Sequence, residues 1–488
     1  MMEASLDTVL VSSSTDSKQR PELETQPRIS LDDLAPETLL AIITELTDLD
    51  SLYNLIVASP IAWRLFNKYA RLITETVLSS PDSLLAPGIQ QFIRALILIR
   101  NSQKPFSCPD DFIYFIHKHM AKNCDNGIKY DDLDNLTAAV TPSLAAAITV
   151  GKPPSEILWS VVATARHVSV LTHSCLEFYL VRIRSPSFTL KYLDNGLKPI
   201  DPDEPAPPYM NDYDGTPLVT ADIGPPGWVE ETRVLRALWF VQLAQEMILS
   251  APEWKNFENG AKFKNSQEFI RGNVNHSLIN GPAEEVKTVM EYLESLGTQP
   301  EAEQKGPYYR LPRPPKGYSD AGWIMPLPEL RQQEWKDGLC YRLVYPNKVV
   351  EFELPLDAKE LSPDMKDMKG EPSRSTVSRW DQTCTAIDGP CTNIEYWAGI
   401  SSDMLSSPIV GVKFDSYRRL GFALWDRKRM FFLGLIPGLY ETWSFEKTAQ
   451  YIFAWESILP EGEAQRLKEA LRARARFNEY LWPNEIMW

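Results

Sequence analysis

Histidine is scarce in this chain, with five side chains among 488 residues and none in a nucleophile-elbow or paired-histidine setting, so general bases and metal ligands are few. His117 and His119 lie near Cys108 and Cys124, but the spacing fits no common zinc unit. Two residues apart on an expected helix, the two imidazoles face different ways, so they are expected to be surface or core groups, with no metal held. The six cysteines (Cys108, Cys124, Cys175, Cys340, Cys384, Cys391) fall into no regular framework, the pattern of reduced thiols in a cytosolic or nuclear protein. The glycine loop ending in Lys-Ser or Lys-Thr that cradles phosphates is missing. So is any repeat with a period of about 20–50 residues, which excludes leucine-rich, WD-type and kelch arrays. Basic charge is also short. Fifty Lys and Arg against 65 Asp and Glu leave a balance of −15, which argues against a broad phosphate-binding surface and a nucleic-acid partner. The longest apolar stretch, over 157–181, is broken by Arg166, His167, His173 and Glu177, groups expensive in lipid, so a buried helix is expected there and no membrane partner. Residues 1–28 are rich in Ser, Thr, Glu and Gln. Lacking the basic start and apolar run of a secretory signal, they are expected to be a disordered tail on an intracellular protein, cytoplasmic or nuclear.

What is present concentrates first in residues 29–80. Asp32 and Asp33 precede Leu34-Ala35-Pro36-Glu37, where carboxylates and a proline suit a first helical turn with unpaired amides, so a helix is expected to start near Pro36. Leu39, Ile42, Ile43 and Leu46 recur at helical spacing on one face of it. Asp48 or Asp50 can cap a second helix carrying Leu52, Leu55 and Ile56, which Pro60 closes while opening a third. That third helix has two apolar stripes: Phe66, Ala70, Ile73 and Val77, and Leu65, Tyr69, Leu72 and Thr76. Three short helices cannot bury so much surface by themselves, so the excess must meet the rest of the chain or a partner.

At these residues the sequence resembles the F-box, the module that binds the Skp-family adaptor of cullin-based (SCF) ubiquitin ligases. The resemblance rests on Leu34, Glu37, Leu39, Ile42 and Leu46, then Asp48-Leu49-Asp50-Ser51-Leu52, then Ala58-Ser59 and Trp63. The family usually has proline where Ala35 stands and an aliphatic where Thr38 stands. The continuation through Ala58-Ser59-Pro60 and Thr74-Glu75-Thr76-Val77-Leu78 is similar to F-box proteins of filamentous fungi, with a fainter likeness at Leu96-Ile97-Leu98-Ile99-Arg100 and Arg418-Arg419-Leu420-Gly421. The resemblance implies a substrate receptor that is not itself an enzyme and needs no cofactor. Its adaptor-binding face would be Leu34, Pro36, Glu37, Leu39, Ile42, Ile43, Leu46, Leu49 and Leu52, its partners the adaptor, the cullin complex and a protein target. A scaffold acting outside any ligase, and an enzyme with an unrecognised site in the C-terminal half, are the alternatives.

Beyond this module the expected fold is mainly α with a minor β element, a larger helical body following the three-helix unit. Residues 81–335 are expected to be a helical region with proline-rich connectors. A helix opened by Pro87-Gly88 places Ile89, Phe92, Ile93, Leu96 and Ile97 at helical spacing and should pack directly on the third helix. Further helices are expected over 110–122, 133–150, 155–184, 229–249 and 282–296, the 155–184 helix with Leu158, Val161, Val162, Ala165, Val168, Thr172, Leu176 and Tyr179 on one side. The acidic pairs Glu230-Glu231 and Glu284-Glu285 open two of these helices, where capping of the dipole explains them. Eight prolines between Pro199 and Pro226 predict an irregular connector, as do those over 300–328. In the latter, Tyr308, Tyr309, Tyr318 and Trp323 could line a target-binding groove or staple the connector onto the core. Over 336–488, Tyr341, Leu343 and Tyr345 alternate, Pro346-Asn347 turns the chain, and Val350, Phe352 and Leu354 alternate back, which predicts a hairpin. Aromatics from Tyr396 to Phe432 imply a second core, and two helices are expected to close the chain, the last with a solvated basic face including Arg466, Lys468, Arg472 and Arg476.

Overall fold

The structure, a computed structural model, describes residues 31–80, 83, 85–121, 144, 147–185, 188–192, 215–217, 224–251, 281–297, 310–315, 341–345, 348–352, 414–425, 429–430, 433–435, 453–460, 462–466 and 469. It is mainly helical. After a single 3-10 turn at Leu31–Asp33 come α1 (Pro36–Thr44), α2 (Leu49–Ala58) and α3 (Pro60–Ser79). Then follow α4 (Pro87–Arg100), α5 (Pro109–Ala121), α6 (Ala147–Gly151) and the 29-residue α7 (Ser155–Ile183). Helices α8 (Trp228–Ser250) and α9 (Gly281–Ser295) and the short α10 (Asp415–Arg418) follow.

Proline and small polar caps set the boundaries. Pro36, Pro60 and Pro87 each stand in the first turn of a helix, where a missing N–H costs nothing. Ser59 does double duty: its N–H closes α2 on the Leu55 carbonyl, and its buried Oγ accepts from the Ala62 N–H (3.2 Å) to open α3. The residue before Pro60 must be extended, and Ser59 is (φ −126°, ψ 116°), so α2 and α3 cannot fuse.

The long helices α7 and α8 pack on each other and form the frame. On α7 all eight residues of the expected stripe are buried, and so are Leu171, Cys175, Leu180 and Ile183 off that stripe, because α2, α3 and α8 cover it from different sides. No described helix is long and apolar enough to cross a membrane. Helix α4 is buried almost all round, Ile89, Phe92, Ile93, Leu96 and Ile97 fully. Contrary to the expectation that it packs directly on α3, it lies chiefly against α8, with α5, α6 and α7 around it. Covered on nearly every side, it needs several neighbours, and a polar link ties it to α3: buried Arg94 donates to Glu75 Oε1 (2.9 Å) and Ser79 Oγ (2.7 Å).

Phe414, Tyr417, Phe422 and Trp425, expected in a second core, join the same apolar cluster as Leu39 and Val161. Residues 453–457 and 462–466 are helical. The segment around α10 is fastened by ion pairs that sequence separation hides. Arg418 reaches Glu284 Oε2 (2.6 Å), Arg429 reaches Glu230 Oε1 (2.7 Å), and Arg233 donates to the carbonyl of Trp425 (2.5 Å). Arg236 pairs with Glu285 (2.5 Å), and Arg100 with Glu246 (2.8 Å). The acidic pairs are therefore more than dipole caps. Glu230 does cap, accepting from the Gly227 N–H (2.6 Å), but all four carboxylates are buried, where an ion loses hydration and requires a partner.

Among the described residues two short antiparallel ladders supply the β structure. The expected hairpin pairs β3 (Tyr341–Tyr345) with β4 (Lys348–Phe352), in the register Tyr341↔Phe352 to Tyr345↔Lys348. A second ladder, β1 (Lys191–Tyr192) with β2 (Thr216–Pro217), was not expected from the sequence; it pairs the chain just before the proline-rich connector with a segment inside it.

Candidate docking surface

Helices α1 and α2 both pack on α3, and α2 and α3 both pack on α7, so the N-terminal helices are built into the body. The Asp48 carboxylate caps α2, accepting from the Ser51 N–H (2.7 Å) and Oγ (2.8 Å). Asp50, the other candidate cap, turns toward α7, where Arg166 Nη1 donates to it at 3.3 Å. Burial holds the Asp50 carboxyl above its usual pKa, against the opposing pull of Arg166. On the same seam Tyr53 stacks on Trp159 (centroids 5.3 Å apart, planes 9° apart), and Trp63 meets Trp159 edge-on at 5.0 Å.

This packing divides the nine residues of the expected adaptor face. Leu39, Ile43, Leu49 and Leu52 are buried within the chain, at 0–1% exposure. Leu34 and Leu46 are half-buried against the core; Pro36, Glu37 and Ile42 are exposed. The division reflects which side of the α1 stripe α3 covers. At about 100° per residue, Leu39 and Ile43 lie within about 40° of each other, whereas Ile42 sits about 60° round the other way from Leu39, at the edge of the stripe. On α3 the stripe Phe66, Ala70, Ile73 and Val77 is buried, while on the second stripe Leu65 is buried, Tyr69 and Thr76 are half-buried and Leu72 is 54% exposed.

The apolar residues left outside are the distinguishing feature. Among the described residues seven large hydrophobic side chains are exposed, and five of them, Leu31, Ile42, Val57, Trp63 and Leu72, fall within residues 31–72. Periodicity alone did not single out this outer set, because Ile42 shares a stripe with Leu39, and Leu31 and Val57 belong to none.

The other sequence candidates lie elsewhere or outside the described residues. Tyr308, Tyr309, Tyr318 and Trp323 are outside them, as are the side chain of His117 and all of Cys124. His119 packs its ring edge on Phe115, 4.6 Å between centroids. Among the described residues no group of His, Cys, Asp and Glu is placed to hold a metal ion. The neighbouring connector residues 310–315 are pinned: Arg310 reaches Glu246 (3.4 Å) and its N–H donates to Gln242, while His167 Nε2 meets the Leu311 carbonyl. Arg418 and Gly421 serve the core, Gly421 against the ring of Tyr179. No protein-family model matches this chain, and no curated protein or solved structure matches it.

Proposed function

We propose that the N-terminal helices dock this chain onto the Skp-family adaptor of a cullin-based ubiquitin ligase and that the larger body presents a protein target. The observation carrying the proposal is the crowding of exposed large hydrophobics into residues 31–72: five of the seven among the described residues fall there. Such side chains lose nothing in the isolated chain but gain about 25 cal/mol per Å² once a partner covers them. The sequence resemblance says which partner. The receptor itself would contribute no catalytic group; its effect is proximity, raising the concentration of the target near the transferring enzyme.

Ala35, where the family usually has proline, already has a proline-like backbone (φ −58°, ψ 141°), so this departure leaves the entry turn intact. That favours the docking reading over a scaffold outside a ligase. Thr38, where the family has an aliphatic, is exposed, and its replacement by isoleucine is expected to tighten docking.

The experiment is calorimetric titration of the intact chain with purified Skp-family adaptor. Deleting residues 1–80 would be a poor control, because α2 and α3 cover α7 and their loss bares the core. Saturable one-to-one binding is expected; a flat titration of the folded chain would refute the proposal.

A further inference from the structure

The outer side of α3 borders two clefts. The larger, about 810 Å³, lies between the end of α1, the second half of α3 and α6. The smaller, about 440 Å³, lies beside the kink of α3 at Tyr69, facing the Lys152-Pro153-Pro154-Ser155 turn that leads into α7. Arg71, Leu72 and Lys152 line both.

Charge in this trough runs opposite to that of the chain. The smaller cleft is lined by Lys68, Arg71 and Lys152 and by no carboxylate, in a protein whose balance is −15. The larger has Glu45 and Glu75, but Glu75 is already neutralised by buried Arg94 at 2.9 Å. The start of α7, with no side chain capping it, adds its partial positive charge beside Ser155. Leu72, 54% exposed, stands on the wall common to both clefts. From Asn67 to Ser80 the lining follows α3 for roughly 20 Å at 1.5 Å per residue, the span of about six residues of extended chain and far more than a single small anion fills.

We propose that these joined clefts bind an extended acidic peptide segment of another protein, its carboxylates on Lys68, Arg71 and Lys152 and one apolar side chain on Leu72. The site is separate from the outer row proposed to meet the adaptor, except for Leu72, and does not depend on that docking.

Fluorescence anisotropy of the full chain, without adaptor, tests it. The probe is a fluorescein-labelled eight-residue peptide of glutamate and serine around one central leucine, beside a counterpart with lysine in place of glutamate and another with serine in place of leucine. The acidic peptide is expected to bind, more weakly as salt rises, while the lysine peptide does not bind and the leucine-free one binds several-fold less well. Joint Arg71→Glu and Lys152→Glu should weaken binding about tenfold or more, a loss in the range of charge-pair couplings, while Arg64→Glu, on the exposed side of α3 outside both clefts, changes it less than about twofold. If charge reversal disturbs the thermal transition, Arg71→Gln with Lys152→Gln replaces it. Equal binding of acidic and lysine peptides, no binding of the acidic one, or binding indifferent to both double variants would overturn the proposal.

Discussion

Gly421→Ala tests how the C-terminal segment is seated on the body. Gly421 has φ +75°, where an L-residue costs about 1–2 kcal/mol. A Cβ there would stand 2.8 Å from both Cβ and Cγ of Tyr179. Tyr179 cannot step aside, since it is fully buried, its hydroxyl donates to the Thr288 carbonyl at 2.8 Å, and Phe178 packs against its ring. Overpacking of such a site costs about 1–3 kcal/mol, giving about 2–5 kcal/mol for the substitution in total. Urea unfolding should show the midpoint falling with the slope unchanged. Hydrogen exchange should quicken first in residues 414–425. A second substitution, Tyr179→Ala, removes Cγ and the ring and should make the added cost of Gly421→Ala smaller than in the native background. A loss of less than about 0.5 kcal/mol for Gly421→Ala alone, the size of an ordinary surface change, would refute the placement of this turn on α7.

Other substitutions probe other parts of the frame. Glu230→Gln leaves Arg429 buried with its charge unmatched and should cost about 3–5 kcal/mol, whereas replacing both Glu230 and Arg429 with methionine should cost less than that single change; a double variant worse than the single would contradict the ion-pair account. Burial and the charge of Arg166 push the pKa of His173 down to about 4, below the usual histidine range near 6.5, so the folded state disfavours its proton. Its contribution is whole above about pH 6.5, is lost as pH falls toward 4 and levels off below that, and His173→Gln should remove this part of the slope in a pH series of urea melts. Ala35→Pro should raise stability by about 0.4–1 kcal/mol, because the native backbone already fits proline; a lower melting temperature would mean that Leu34 is held in the helical conformation that a following proline forbids.

The helix starts at Pro36, Pro60 and Pro87, the stripe on α7 and the β3–β4 hairpin were legible because each depends on residues a few positions apart, through caps, 3.6-residue periodicity or alternation. What escaped depends on distant residues. The pairing of Glu284 with Arg418 spans 134 positions, and an isolated Glu-Glu pair at a helix start looks the same whether an arginine later covers it or not. The partner of α4 escaped for a related reason: an apolar stripe says that a neighbour covers it but not which one, and α8 is more than a hundred positions away. At the candidate surface, the stripe of α1 was found but its division was not. Whether Ile42 lies inside or outside turns on how α3 crosses α1, and that crossing is set by packing.

The central claim is tested most directly by adaptor affinity of two point variants measured beside the native chain. Leu31→Ser with Ile42→Ser removes exposed side chains, 44% and 39% accessible, and should leave the thermal transition in place. If these residues meet the adaptor, affinity should fall roughly thirtyfold, the equivalent of about 2 kcal/mol at an interface. Leu39→Ala, fully buried, should instead cost about 2–5 kcal/mol of stability. Adaptor affinity unchanged in the Leu31 and Ile42 double variant, with the fold intact, would contradict the account.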